Sequence, residues 1–301
     1  MGTVADRLRA TSCYSMIPVS SKLVVFETRM KVRHALTVLV QHGVQSAPLW
    51  DATTQQFVGM FTVTDFINLL LHYFYNSSLE EAMQDLEGLT IRSLKALQSK
   101  SGVDVPTISL HPLQSLHEAS RILLENHLYR LPLVDDTQNV EVIVSVVTEF
   151  KILRYIAENC QDIPLAKKTL RELGLGTYKN LKTAGPDTPL ITVLNMFVND
   201  KISAVPIQDE NGLFIDIYEK YDILLLTKEG SSTDLSIPLS QALAGRSTEF
   251  AGIHTCSLDE NIGNILDTIR RMTVHRFIVL EDDRCKGILS LSDILRCLLK
   301  S

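Results

Sequence analysis

The sequence predicts an α/β protein in which one unit of strand, helix, strand, strand and helix occurs four times. Two observations carry this prediction: four similar pairs of short apolar strands, and an amphipathic helical pattern ahead of each pair. A third supports it, because the 301-residue chain is long enough for about two ordinary domains with sizeable cores. We therefore expect two units in a first module, residues 1–165, and two in a second, residues 166–301.

Each strand pair consists of a short apolar strand, a polar turn and a second, more apolar strand. The four pairs lie in "VQSAPLWDATTQQFVGMFTVTDFINLL" from residue 44, "LYRLPLVDDTQNVEVIVSVVTEFKILRYI" from 128, "ISAVPIQDENGLFIDIYEKYDILLL" from 202 and "VHRFIVLEDDRCKGILSLSDILRCLL" from 274. This spacing indicates a hairpin or two neighbouring strands. A helix is expected directly after each pair.

The helix that precedes each hairpin is clearest in residues 190–198. Its apolar residues share one helical face: Leu190, Val193, Leu194, Phe197 and Val198. Residues 32–40, 113–124 and 262–272 follow the same pattern. Short strands such as "LVVF" at 23–26 and "TISL" at 107–110 come before these helices, and the mixed stretch 159–181 is expected to join the two modules.

Composition excludes several classes of function. The net charge of −6 argues against nucleic acid as a bulk electrostatic partner, and no apolar run reaches the roughly 18 residues of a membrane-spanning helix. Five scattered cysteines predict reduced thiols in an intracellular protein. No phosphate-binding P-loop, nucleophile elbow or zinc-protease motif occurs. We therefore expect no enzyme, no catalytic cofactor and no metal site.

An acidic residue begins the last helix of three of the units. Asp293 in "SLSDILRCLL" has counterparts in Asp65 of "TVTDFINLLL" and Asp222 of "EKYDILLL". One interpretation is helix capping, because a carboxylate accepts hydrogen bonds from free backbone N–H groups and suits the positive helix start. A cap alone does not explain why the surrounding pattern recurs, so a binding role remains open.

The fourfold unit resembles the cystathionine β-synthase (CBS) repeat, which pairs into Bateman modules that form a flattened disk. The closer resemblance is to the γ (regulatory) subunits of AMP-activated protein kinase, and in particular to the fungal branch. The strings that carry it span nearly the whole chain: "SSKLVVFET", "SAPLWD", "TDFINLL", "RLPLVD", "GTYKNL", "VHRF" and "SLSDIL".

The resemblance implies a non-catalytic subunit that binds AMP, ADP or ATP competitively and passes the energy state to a kinase α subunit. It also implies a β scaffold subunit whose strand lies along Ser20–Glu27, and a location in the cytoplasm and nucleus. An exposed apolar strand edge there would need such a cover; alternatively, the strand packs inside its own module and the first few residues close its edge. The alternative is a structural assembly subunit, in which nucleotide binding has little regulatory consequence.

A mononucleotide needs an apolar slot for its base, acceptors for its ribose diol, and cations or N–H groups for its phosphate. The resemblance assigns the ribose contact to Asp65, Asp222 and Asp293, since a carboxylate can accept from both ribose hydroxyls. It assigns phosphate contacts to Arg130, His275 and Arg276. Further positions match nucleotide contacts in the family: Met60, Thr62, Thr64, Thr177, Ser203, Ala204, Lys220, Arg246, Ser290 and Ser292. Each of these polar residues could equally be a solvated or capping side chain.

The sequence departs from the family pattern at several of these positions. Lys151 in "TEFKIL" stands where the other units have aspartate, and an ammonium has no lone pair for the ribose diol. Gln45, Tyr129 and Phe150 replace an arginine, a histidine and a lysine of animal relatives, which removes potential cations. We therefore expect an empty site at Lys151, a weakened site at Asp65 and the best site at Asp293.

Overall fold

The computed structural model describes residues 3–19, 22–76, 88–100, 107–137, 140–160, 163–227, 234–246 and 252–300. It confirms a mixed α/β protein with four hairpin-containing repeats. Eleven α-helices occur in these residues: α1 (Val4–Ala10), α2 (Val32–Gln41), α3 (Val63–Asn76), α4 (Ile91–Lys100), α5 (Leu116–Glu125), α6 (Glu149–Asn159), α7 (Leu170–Leu173), α8 (Leu190–Asn199), α9 (Leu239–Leu243), α10 (Ile262–Arg271) and α11 (Leu291–Leu299). Three 3₁₀ helices accompany them: Cys13–Met16, Pro164–Lys167 and Lys220–Thr227.

The strands form one antiparallel hairpin in each repeat. They are β1 (Phe26–Glu27), β2 (Ser46–Asp51), β3 (Gln56–Thr62), β4 (Arg130–Asp135), β5 (Val142–Thr148), β6 (Ala204–Gln208), β7 (Phe214–Glu219), β8 (Thr255–Cys256), β9 (Arg276–Glu281) and β10 (Arg284–Ser290). The hairpins are β2–β3, β4–β5, β6–β7 and β9–β10. In the first and fourth repeats, a short parallel strand adds to the hairpin, β1 beside β2 and β8 beside β9.

The structure corrects three expected elements. Within "LVVF" only Phe26 is in a strand, while Ser20 and Ser21 lie outside the described residues. Of "TISL", only Leu110 pairs, through a single bridge to Leu133. The expected last helix of the third repeat is the 3₁₀ helix Lys220–Thr227. Short apolar runs do not carry enough periodicity to fix such details, because the neighbouring strand or helix decides them.

The chain divides into two compact units, each with two repeats. The first comprises Met1–Leu23, Ile108–Leu181 and Ala251–Ser301, and so contains the second and fourth repeats. The second comprises Val24–Thr107 and Lys182–Phe250, with the first and third repeats. Each unit has its own buried apolar core. Since each unit takes residues from both 1–165 and 166–301, the assignment of repeats to two sequential modules stays a prediction.

Four connecting segments pack on a repeat other than the one they precede. The residues after α1 bridge to the second repeat (Ser12 to Ser115), and those before α4 bridge back to the first (Lys31 to Thr90). The same exchange relates the other two repeats, by bridges from Thr169 to Asn261 and from Pro189 to Pro238. The exchange brings side chains of connecting segments, such as Lys95 and Arg246, to the start of the helix in the repeat on which they pack.

None of the helices in the described ranges combines the length and apolar character that a membrane crossing requires.

Candidate nucleotide-binding site

The hairpins place one position of each repeat at the same point of the fold. The last residue of the second strand pairs with the start of the first strand, as Thr62 does with Ser46 and Ser290 does with Arg276. A helix begins there. Three residues after the end of the second strand, the four repeats have Asp65, Lys151, Asp222 and Asp293. The strand register therefore supports the sequence alignment of these four residues.

One carboxylate oxygen caps the chain in all three aspartate repeats. The Oδ2 atom accepts a backbone N–H bond at 2.7 Å from Thr62 in the first repeat and at 2.7 Å from Glu219 in the third. In the fourth, Asp293 Oδ2 accepts from the backbone N–H of Ser290 at 3.0 Å and from its hydroxyl at 2.6 Å. The capping interpretation is thus correct for this oxygen. Any further role depends on the other one, Oδ1.

In the first repeat, a lysine forms an ion pair with Oδ1 of the aspartate. Lys95 Nζ lies 2.7 Å from Asp65 Oδ1, and the two side chains are 28% and 7% exposed. Lys95 belongs to α4, one of the exchanged segments. No sequence pattern marks Lys95 as a partner of Asp65, because α4 follows the first repeat in the chain and its residue spacing does not show that it packs back on that repeat.

In the third repeat, Arg246 surrounds the aspartate with donors. Its Nε lies 3.1 Å from Asp222 Oδ1 and one terminal nitrogen 2.7 Å from Oδ2. The guanidinium also donates to Asp216 at 2.8 Å and to the Ile217 carbonyl at 2.6 Å. Burial raises the pKa of Asp222, although its bonds to Arg246 lower it. Burial lowers the pKa of Arg246, but Asp222 and Asp216 outweigh that effect and raise it.

In the fourth repeat, Oδ1 accepts no hydrogen bond from the part of the chain that the structure describes. Among the described residues, Asp293 accepts hydrogen bonds from Ser290 alone, all at Oδ2, and no lysine or arginine pairs with it. The neighbouring Ser292 hydroxyl donates to Glu149 Oε1 at 2.6 Å. Burial raises the pKa of Glu149 to about 7, its bond to Ser292 lowers that pKa, and the charge of Asp293 raises it. Glu149 lies beside Phe150 and Lys151 in "TEFK", but no local sequence pattern marks it as a partner of Ser292.

Lys151 takes the place of the aspartate in the second repeat, as the sequence predicts. Its backbone N–H donates to the Thr148 hydroxyl at 3.1 Å, and its Nζ donates to the Val146 carbonyl at 2.7 Å. Burial lowers the pKa of Lys151, and nearby Arg130 lowers it further. Burial also lowers the pKa of Arg130, to about 10. The position that is aspartate in the other repeats is thus held by a lysine, with a second cation, Arg130, close enough to affect its pKa.

The remaining candidate residues divide between the two units. The unit with the first and third repeats holds Met60, Thr62, Thr64, Asp65, Ser203, Ala204, Lys220, Asp222 and Arg246, together with Gln45. The other unit holds Arg130, Thr177, His275, Arg276, Ser290, Ser292 and Asp293, together with Tyr129 and Phe150.

Lys220 Nζ donates to the Thr64 hydroxyl at 3.3 Å, so the starts of these two helical segments meet through polar side chains. Burial lowers the pKa of Lys220. Thr177 pairs with Ile288 in the strand that leads to Asp293.

One cluster elsewhere offers potential metal ligands. Ligand atoms of His111, Asp135 and Asp136 lie within 4.8 Å of one another. The Thr137 backbone N–H donates to Asp135 at 3.0 Å, as in an ordinary turn after a strand. His111 Nε2 lies 3.5 Å from Asp135 Oδ1.

Comparison with known proteins defines the class. Residues 14–72, 103–158 and 251–300 match the family model of the CBS domain, and the third repeat lies outside these segments. The 5'-AMP-activated protein kinase subunit gamma of Saccharomyces cerevisiae is 40% identical over 97% of this chain and 91% of its own length. That of Kluyveromyces lactis is 38% identical over 97% and 90%. The chain is thus a CBS-domain protein. The chain belongs to the family of 5'-AMP-activated protein kinase gamma subunits.

A more distant sequence relative supports the same family, and two solved structures share the fold. The gamma-3 subunit of Bos taurus is 32% identical over 96% of this chain, which spans 58% of that protein. Among solved structures, a protein of Methanocaldococcus jannaschii has a TM-score of 0.77 at 15% identity, and covers 95% of this chain and 99% of its own. A protein of Pyrococcus horikoshii has a TM-score of 0.55 at 15% identity, over 96% and 100%. These two structures share the fold.

Proposed function

We propose that this chain is a non-catalytic regulatory subunit that binds adenine nucleotides, AMP, ADP and ATP, and passes the energy state to a kinase α subunit. The family membership supports the regulatory role. The carboxylate of Asp293 supports nucleotide binding most directly. Its Oδ2 caps the helix, and its Oδ1 accepts no hydrogen bond from the described residues.

Such an oxygen suits a ribose. The 2′- and 3′-hydroxyls are adjacent donors, and hydrogen bonds to a charged acceptor contribute about 1.5–3 kcal/mol each. Because Oδ2 is held by Ser290, the carboxylate is already fixed before a ligand arrives, which reduces the entropy cost of binding. The carboxylate of Asp293 thus does not have to change its position when a ligand binds.

The phosphate end of the ligand would meet polar groups of the same compact unit. The start of α11 carries the partial positive charge of a helix N-terminus, and Ser290 and Ser292 lie on it. Arg276 begins the strand that pairs with Ser290, and His275 precedes it. Base and ribose are common to AMP, ADP and ATP, so discrimination among them belongs to this end of the site.

The partners follow from the family. A nucleotide can shift the kinase only as far as it prefers one conformation, so regulation requires an α subunit that responds to the occupied site. For the β scaffold subunit we propose docking along Ser20–Glu27. In the described residues β1 is the edge of its sheet, with β2 on one side, and Val25 just before it is exposed. We propose that this complex is located in the cytoplasm and nucleus.

A second candidate is a structural assembly subunit with little nucleotide regulation. The cations on Asp65 and Asp222 favour it, because each already fills an acceptor that a ribose would need. Gln45, Tyr129 and Phe150 point the same way, since none of them supplies a charge for phosphate.

Calorimetry with AMP on the assembled kinase complex separates the two candidates. Asp293→Asn keeps an acceptor for the cap but removes the charge, and should weaken AMP binding by at least about tenfold. The matched control is Glu172→Gln, which makes the same change in the capping box of α7, with Thr169 as its partner. Unchanged AMP affinity in Asp293→Asn would favour the structural role.

A further inference from the structure

Asp65 differs from Asp293 in one contact, the ion pair with Lys95. The ammonium lies 2.7 Å from Oδ1, the oxygen that Asp293 leaves without a bonded donor. Oδ2 has the same capping role in both repeats. The availability of the acceptor to a ribose is therefore set by α4, a segment that packs back on the first repeat by exchange.

Lys95 is held differently from Arg246. The guanidinium of Arg246 is fixed by Asp216 and the Ile217 carbonyl as well as by Asp222. In the described residues, the ammonium of Lys95 bonds to Asp65 alone. Replacing Lys95 would thus change one oxygen of one carboxylate and leave the remaining bonds of the first repeat in place.

The same face of α4 carries another polar side chain, Gln98, which differs from Lys95 in having no hydrogen-bond partner among the described residues. Gln98 follows Lys95 by three residues, and such residues are neighbours on a helix surface. Gln98 is 8% exposed, and neither atom of its amide has a hydrogen-bond partner among the residues that the structure describes. A buried amide left unpaired is costly, and in native proteins it calls for an explanation such as a ligand or a bound water.

We propose that Lys95 occupies the ribose-binding oxygen of Asp65 and thereby keeps this site closed to nucleotides. The proposal rests on the proposed function, since it takes the aspartate at this position as the ribose acceptor. A nucleotide entering here must break a largely buried ion pair before its hydroxyls reach Oδ1. The ligand excluded is a ribonucleotide with both ribose hydroxyls, such as AMP.

The test removes the ammonium of Lys95 in a variant whose other two candidate ribose-binding aspartates have been replaced. The background is the full chain with Asp222→Asn and Asp293→Asn, and AMP binding is measured by calorimetry. Adding Lys95→Met, which keeps the length of the stem, should strengthen AMP binding by at least about tenfold. Lys95→Arg keeps a cation and should give no gain. Adding Asp65→Asn to the Lys95→Met variant should abolish the gain.

The ligand supplies a further control. AMP should gain more from Lys95→Met than 2′-deoxy-AMP does, because the freed oxygen acts on the ribose diol. Unchanged or weaker AMP binding in Lys95→Met would overturn the proposal, since it would mean that Lys95 does not block the site. If Lys95→Met fails to fold, as judged by Trp50 fluorescence, Lys95→Gln makes the same test with a neutral side chain.

Failure of the proposed function has a different signature. In an otherwise unchanged chain, Asp293→Asn would then leave AMP binding as it was. If Asp293→Asn weakens AMP binding but Lys95→Met gives no gain, only the proposal for Lys95 fails; if neither variant changes AMP binding, the proposed function fails as well.

Discussion

The Arg246 network should make a large contribution to the stability of the unit that holds the first and third repeats. Arg246→Met removes the guanidinium while keeping much of the apolar stem. It leaves Asp222, which is 5% exposed, as a buried carboxylate without its charge partner. Removing one member of a buried ion pair typically costs about 3–5 kcal/mol, mostly because the other charge remains buried and uncompensated. We expect a loss of unfolding free energy in that range at pH 7.

The loss should depend on pH in a defined direction. Burial already raises the pKa of Asp222 above its ordinary value, and Arg246 opposes that rise. Without Arg246 the pKa rises further. A carboxyl whose pKa is higher in the folded state loses folding stability as the pH rises from its ordinary pKa to the raised one. Arg246→Met should therefore be less destabilising at pH 5 than at pH 7.

The chain offers a probe for this measurement. Trp50 is the only tryptophan, and it lies in the same compact unit as Arg246. Its fluorescence during urea unfolding reports on that unit at each pH. Arg246→Lys should cost less, since it keeps the charge, and Asp222→Asn should recover part of the loss in Arg246→Met. A cost below about 1 kcal/mol at pH 7 would refute the reasoning.

Three further changes test other parts of the structure. Burial raises the pKa of Glu149 from its ordinary 4.5 to about 7, so stability should fall by about 3 kcal/mol as the pH rises through that window. Glu149→Gln should remove this pH dependence of stability in calorimetric unfolding scans. An unchanged pH profile would show that Glu149 is not its source. Gln98→Leu should raise the unfolding free energy reported by Trp50 by about 1–3 kcal/mol, because it removes an unpaired buried amide; a decrease would show that the amide is paired. Val24→Pro should reduce co-purification with a β subunit, since proline cannot donate to an added strand; full recovery by a variant that still binds AMP would place the docking strand elsewhere.

Local patterns predicted the parts of the fold that depend on local chemistry. The hairpins and the position of each aspartate follow from alternating apolar residues and from turn and cap residues, and Lys151 lies where the alignment put it. What the sequence did not reveal depends on tertiary packing. Lys95 and Glu149 act through contacts with other segments, at Asp65 and Ser292, and no local spacing encodes those contacts. The bonds of Arg246 to Asp216 and Asp222 are likewise contacts between segments distant in the chain, and its role toward a nucleotide stays a prediction.

The exchange of connecting segments has a consequence for synthesis on the ribosome. Helix α1 buries Val4 and Leu8 in a core that also contains Leu116 and Leu123 of α5, more than a hundred residues later in the chain. At about 5–20 residues per second, these side chains wait roughly 5–20 s after they are made before their partners exist. During that interval the amino-terminal helix is an apolar segment without its docking surface, and such segments are where chaperones bind. The first repeat likewise waits for α4, so translation pauses within the first 125 codons would lengthen the exposure of both.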